Sequence, residues 1–284
     1  MAHVFFIKAF TRDPQLGNPA GVVLETLDMP FEHMKMIARK VNFSETAFVF
    51  ASQLADYKVR FFTPSQEVGL CGHAILATCH TLIEQKVITP TIFPHYTTLE
   101  TSAGIIPVTC FDDGHYMMTQ KPPQFFEEES DRSAIAQMLG ITEQDILDLP
   151  IQTVSTGTPK LMIPLVSREK LFAIRPDFEG IAHYCSTRDA RGFYPFTTDT
   201  INPDSSFHAR QFNPLAGIDE DPITGVAGGA LACYAQHYNL LKSPISSIEQ
   251  GYCMGKGGII TIDLTQDVQV GGYAVTFGQS EIGM

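Results

Sequence analysis

Two stretches of this chain, far apart in sequence, follow the same local plan. RFFTPSQEVGLCGHAILA begins at Arg60 and RQFNPLAGIDEDPITGVAGGALA begins at Arg210. At a constant offset of 150, Arg60, Phe62 and Pro64 fall opposite Arg210, Phe212 and Pro214, and Cys71 falls opposite Asp221. The register then slips by three, which pairs Gly72 and Ala74 with Gly225 and Ala227. Each copy reads as a strand, a proline-containing loop and the start of a helix rich in small residues. Repetition at this spacing predicts two similar lobes. Each lobe would present a helix N-terminus, whose unpaired N–H groups and positive dipole end can hold an anion. Two such ends facing a cleft would clamp a carboxylate without any Lys or Arg.

The chain has the size and composition for this plan. Its 284 residues suit one large domain or two of ordinary size, and 44% hydrophobic with 18% charged residues is globular composition. Asp and Glu number 31 against 19 Lys and Arg, a net charge of −12 that repels a phosphate backbone and excludes nucleic acid as a partner. The six cysteines are scattered without a C-x-x-C pair, which predicts free thiols in a reducing cytoplasm. The N-terminal MAHVFFIKAFTRDPQ lacks a basic leader and a small-residue cleavage site, and no run approaches the ~20 apolar residues of a membrane span. A soluble cytoplasmic protein without a membrane partner is expected.

Local patterns divide the chain further. Residues 3–10 read as a strand, and DPQLGNPAGVV, with Pro14, Gly17, Asn18 and Pro19, as a turn-rich loop at the rim of a site. Phe31, Met34, Ile37, Ala38 and Val41 recur at helical spacing after Pro30, so a helix should run to about Asn42 and leave Ser44 and Glu45 at a helix-to-strand junction. Residues 57–63 read as a strand stopped by Pro64, and 74–86 as an apolar helix just after CGH. QKPPQFFEEESDR, residues 120–132, combines a proline pair with an acidic run and reads as a lobe boundary or an acidic helix start. The lobes would then span 1–119 and 120–272, with strand 273–284 returning to complete the first. Helical segments are expected near 132–148 and from Gly225 to Leu240, and β-like runs near 151–165, 190–212 and 257–278.

Read without further context, the titratable residues leave choices open. Glu45 at its junction is a solvated carboxylate or cap, or a proton carrier if a dry pocket raises its pKa, with Phe43 and Phe48 as candidate walls. His73, at a helix start beside Cys71, is a satisfied structural histidine or a neutral imidazole orienting a substrate, because a positive helix end disfavours imidazolium. Asp221, after Asp219 and Glu220, is a dipole-stabilising cap, a proton carrier, or both. Two glycine-rich stretches are not nucleotide loops. In GYCMGKGG three residues separate Gly251 from Gly255 and a glycine follows Lys256, and GVAGGALA lacks dinucleotide-site spacing.

Four motifs in order, GNPAGVV from Gly17, NFSETAF from Asn42, RFFTPSQEVGLCGHA from Arg60 and RQFNPLAGIDEDPITG from Arg210, resemble the PhzF-like (phenazine biosynthesis-like) isomerases of the diaminopimelate epimerase-like superfamily. TSAGIIPV at 101, STGTPKLMIPL at 155 and QGYCMGKGG at 250 extend the resemblance over nearly the whole chain. It implies an α+β fold of two pseudo-symmetric lobes, each a curved sheet wrapped around a central helix, assembled as a homodimer. It also implies an isomerase without cofactor or metal, acting on a small carboxylic acid. Glu45 would transfer the proton, with His73 and Asp221 lining the same cleft. Backbone amides of Gly72, His73, Gly225 and Val226 would hold the substrate carboxylate, beside Asn18, Ser44 and Cys71. Val226 departs from the family, which often has a polar residue there, and puts a phenazine-pathway substrate in doubt.

Two rivals remain at this level. Related racemases use two thiols, and opposite Cys71 this chain has Asp221, so the second thiol is missing and Cys71 reads as a small buried residue. A non-catalytic binding protein that keeps the fold is the other.

Overall fold

The computed structural model describes residues 1–24, 26 and 29–283. It divides into two units, Met1–Thr119 with Gly271–Met284, and Gln120–Val270.

In the first unit, β1 (Ala2–Ala9) pairs antiparallel with β2 (Asn18–Val23). The expected rim loop is therefore partly a strand. Pro19 is tolerated because it sits at the strand's second position, before pairing with the next strand begins at Ala20. Helix α1 (Phe31–Val41) follows, burying Met34, Ile37 and Ala38. Arg39 and Lys40 in its last turn favour the negative helix end, and Asn42 stops it in the left-handed region at φ 55°. The chain then enters β3 (Glu45–Ala51), parallel to β2, with Glu45 opposite Ala20.

Strand β4 (Tyr57–Phe62) pairs antiparallel with β3 and with the short β5 (Glu67–Val68). Arg60 donates to both carboxylate oxygens of Glu67 at 2.7 Å, bracing this hairpin beside Pro64. Helix α2 (Gly72–Glu84) comes next, buried along nearly its whole length against β1, β2 and β3. Strands β6 (His95–Thr101), parallel to β4, β7 (Gly104–Cys110) and β8 (His115–Thr119) complete the run. The C-terminal strand Gln269–Ile282 pairs with both β8 and β1, so no edge is left between them.

The second unit begins with β9 (Gln124–Glu129), antiparallel to β10 (Ile151–Ser155). The acidic run, read as a lobe boundary or an acidic helix start, forms a strand just after the division between the units. Its partner pairing outweighs the weak β-propensity of three glutamates, whose side chains are half-buried or exposed. Helix α3 (Arg132–Leu139) lies between β9 and β10, and β10 pairs antiparallel with β11 (Lys160–Pro164). Two further helices, α4 (Arg168–Ala173) and α5 (Phe178–Ser186), have no counterpart among the sequence expectations. They start at Ser167 and Asp177, whose side chains accept first-turn amides, and bury Leu171, Ile181 and Cys185 in a cluster with Leu139, Leu161 and Phe212.

Strand β12 (Phe193–Thr197) runs parallel to β11 and antiparallel to β13 (Phe207–Ala209) and β14 (Gln211–Asn213). β14 pairs antiparallel with β15 (Ile218–Asp221) after a 3-10 turn at Pro214–Ala216. Helix α6 (Gly225–His237), 13 residues long like α2, packs against β10, β11 and the later β17. Strand β16 (Ile245–Gln250) is parallel to β13, and β17 (Gly258–Asp263) closes a hairpin with it. Arg210 grips Glu220 bidentately, at 2.8 and 2.9 Å. Arg60 and Arg210 stand 150 residues apart, but Glu67 and Glu220 stand 153 apart, so the register slip lies in the turn at Pro214. The residue equivalent to Cys71 at the helix start is consequently Thr224, and not Asp221.

Candidate active site

The α1 stop at Asn42 and the parallel pairing of β3 with β2 place Ser44 and Glu45 beside the start of α2. Glu45 is 9% exposed and His73 6%. The Glu45 Oε2 and His73 Nε2 atoms lie 3.2 Å apart. The Ser44 hydroxyl is also 3.2 Å from His73 Nε2, while Asn18 Nδ2 at 3.3 Å and the Cys71 sulfur at 3.4 Å approach Nδ1. Asn18, Ser44, Glu45, Cys71, Gly72 and His73 are thus brought together in one unit. The helix they face starts without a side-chain cap on Cys71 and without an acidic residue in its first turn, so its leading amides remain available to an anion.

The charge states differ from the sequence expectation. Burial alone would push the Glu45 carboxyl up, but the attraction of His73 and the polar groups around it outweigh burial and hold the pKa below its ordinary value. Burial likewise opposes an imidazolium, but the Cys71 sulfur and the Glu45 carboxylate hold His73 well above its ordinary value. Both directions run opposite to the expected raised carboxylic acid and neutral imidazole, because at 3.2 Å in a buried setting each group favours the charged form of the other. The Cys71 thiol is pushed up to about 11 by burial and by Glu45. Phe43 packs edge-on against Phe6 and tilted against Phe277, and Phe48 lies in a core cluster with Phe62.

Donor atoms of Glu45, Cys71 and His73 lie within 4.8 Å of one another, a set that could ligate a soft divalent metal. The chemistry fits a proton better. A metal would have to ionise a thiol that titrates near 11, and its own positive charge would sit at the positive end of a helix.

In the second unit, Asp221 ends β15 and accepts the Thr224 hydroxyl at 2.5 Å. The Thr224 side chain caps no amide of α6, as Cys71 caps none of α2. Gln250 ties this corner together: its Oε1 accepts from Tyr194 at 2.8 Å and from the Thr224 amide at 3.3 Å, and its Nε2 donates to the Asp221 carbonyl at 3.0 Å. Gly225 and Val226 open the helix, and the Val226 carbonyl accepts the Thr156 hydroxyl at 3.2 Å. Thr224 and Gln250 were not singled out by sequence reasoning. Both lie inside the quoted motifs PITG and QGYCMGKGG, but nothing local reveals that one amide side chain bridges them.

Residues 7–280 match the phenazine biosynthesis-like proteins (PhzC-PhzF). The chain is 38% identical over 270 residues to the uncharacterized isomerase YfhB of Bacillus subtilis (strain 168), covering 93% of this chain and 91% of that protein. A crystal structure of the Bacillus anthracis phenazine biosynthesis protein of the PhzF family superposes with a TM-score of 0.90 at 30% identity, over 100% of this chain and 99% of that one. A probable proline racemase from Agrobacterium radiobacter K84 shares the fold alone, with a TM-score of 0.68 at 10% identity, over 100% of this chain and 93% of that one. This chain therefore belongs to the phenazine biosynthesis-like (PhzC-PhzF) family, and it is an isomerase.

Proposed function

We propose that this isomerase moves a proton between two carbons of a small carboxylic acid on one face of the molecule, a suprafacial 1,3 shift, with Glu45 as the carrier and neither cofactor nor metal. The observation that carries this reading is the buried Glu45–His73 contact of 3.2 Å. A carboxylate already ionised beside an imidazolium is in the state needed to take a proton, and once protonated it can return that proton to a second carbon. His73 balances the charge as it moves. The groups we assign to the substrate are, in the first unit, the amides of Gly72 and His73 and, in the second unit, the amides of Gly225 and Val226 with Asp221. The two units are pseudo-symmetric lobes. In support, β1 to β7 and β10 to β17 pair in the same order: antiparallel, parallel, antiparallel, then a parallel return after the helix. We also propose a cytoplasmic homodimer; six free cysteines accord with a reducing compartment.

The test is turnover and deuterium incorporation in heavy water over a panel of small unsaturated carboxylic acids, comparing wild type with Glu45→Gln. Loss of about 10²–10⁴-fold is expected, and wild-type turnover by the Gln variant overturns the assignment. The thiol alternative is tested alongside. Cys71→Ala should retain turnover, since a thiol titrating near 11 is a poor base at neutral pH.

A further inference from the structure

Lys160 opens strand β11 in the second unit and is 2% exposed. A buried ammonium needs partners for three N–H donors, and the contact formed here is to the Arg191 carbonyl at 3.5 Å. Beside it lies Gln211, 1% exposed, whose Nε2 donates to the Phe212 carbonyl at 3.0 Å while its Oε1 is buried without a partner. The two side chains converge on Gly192, where an added Cβ would stand 2.8 Å from Gln211 Nε2 and 3.1 Å from Lys160 Nζ. Gln211 is in turn the register partner of Asp221 across β14 and β15. A donor head and an acceptor head, both buried and underused, therefore border the strand pair that carries Asp221.

We propose that Lys160 is a positioning residue for Asp221: its buried ammonium, acting past Gln211, keeps the Asp221 carboxylate charged and oriented. The significance for catalysis rests on Asp221 belonging to the active site as read above; the coupling itself does not. Asp221 is the carboxylate whose charge favours the ammonium, against burial that lowers the Lys160 pKa to about 8. The other titratable group acting on it is Cys185 from α5, whose thiol burial pushes up to about 11, leaving it neutral. From β14 it meets the neutral Gln211, and from the loop before β12 the Arg191 carbonyl.

The test needs no substrate. The Asp221 side-chain carboxyl is titrated by carbon-13 NMR in wild type, Lys160→Met and Lys160→Arg. Removing the ammonium should raise the Asp221 pKa by about one unit or more, and the Arg variant should restore the wild-type value. An unchanged Asp221 pKa in the Met variant overturns the proposal, as does a shift that Arg fails to restore. If Lys160→Met does not fold, nitrogen-15 titration of the Lys160 ammonium in Asp221→Asn reads the same coupling from the other side. There the lysine should titrate below its wild-type value, and no change overturns the proposal. Asp221→Asn assayed for turnover judges the catalytic reading separately, so failure of one is distinguishable from failure of the other.

Discussion

At the residue scale, Glu45 and His73 form one titrating unit, and this has a consequence for stability. The Glu45 pKa is lowered and the His73 pKa raised, the net result of burial opposed by their attraction. A lowered carboxylate contributes stability above its ordinary value, about 4.5, and loses it as pH falls through the folded-state value below that. A raised imidazole contributes fully below its ordinary value, about 6.5, and loses it as pH rises through the folded-state value above that. The pair therefore stabilises most between about pH 4.5 and 6.5. Thermal melts of wild type and Glu45→Gln across pH should differ most in that window. The difference should shrink as pH climbs past the His73 value, and a gap independent of pH would show that the two groups do not share a proton.

At the element scale, the two arginine clasps repeat in sequence but differ in setting. Arg210 and Glu220 have side chains 9% and 16% exposed, and Arg210 also donates to the Leu171 carbonyl at 3.0 Å. The Arg60 and Glu67 side chains are 29% and 30% exposed. Breaking a buried pair leaves an uncompensated charge, so Arg210→Met should cost about 3–5 kcal/mol. Arg60→Met, with water as a substitute partner, should cost about 1 kcal/mol or less. Urea unfolding of each variant measures the ordering, and equal costs would contradict it. A second pair, His208 with Glu249 at 2.9 Å, is fully buried, and Glu249 also accepts the Ile201 amide at 2.8 Å. It belongs to the packing of β13 against β16, distinct from the Asp221 corner.

At the scale of the whole molecule, the last strand joins chain ends that are distant in sequence. It pairs with β1 from Ala2↔Ile282 through Ala9↔Ala274 and completes the unit formed by residues 1–119. Gly271 lies tight against β8: a Cβ there would lie 1.8 Å from the Tyr116 carbonyl oxygen, a backbone atom that cannot swing aside. Gly271→Ala should therefore destabilise the first unit by at least the about 1–3 kcal/mol of ordinary overpacking. Hydrogen exchange should show protection falling in β1 and β8 and holding in β12 and α6. A uniform loss across both units, or none, would contradict this.

What could be read from the chain alone was local or repeated. The α1 boundary at Asn42, the α2 and α6 starts near CGH and TGV, and the Ser44–Glu45 junction follow from periodicity, stop signals and small residues, all acting within a few positions. The echo between Arg60 and Arg210 foretold two related helix starts. Its alignment of Cys71 with Asp221 failed because an insertion's place is set by the turn at Pro214, which identity alone does not locate. Only the tertiary structure turned GNPAGVV into a strand that delivers Asn18 to His73, 55 residues away, and found Gln250 bracing Thr224 and Lys160 buried beside Gln211. It also decided the charges. Sequence shows which groups can titrate, but a pKa is set by burial and by which opposite charge stands 3 Å away, and both arise only when distant segments pack.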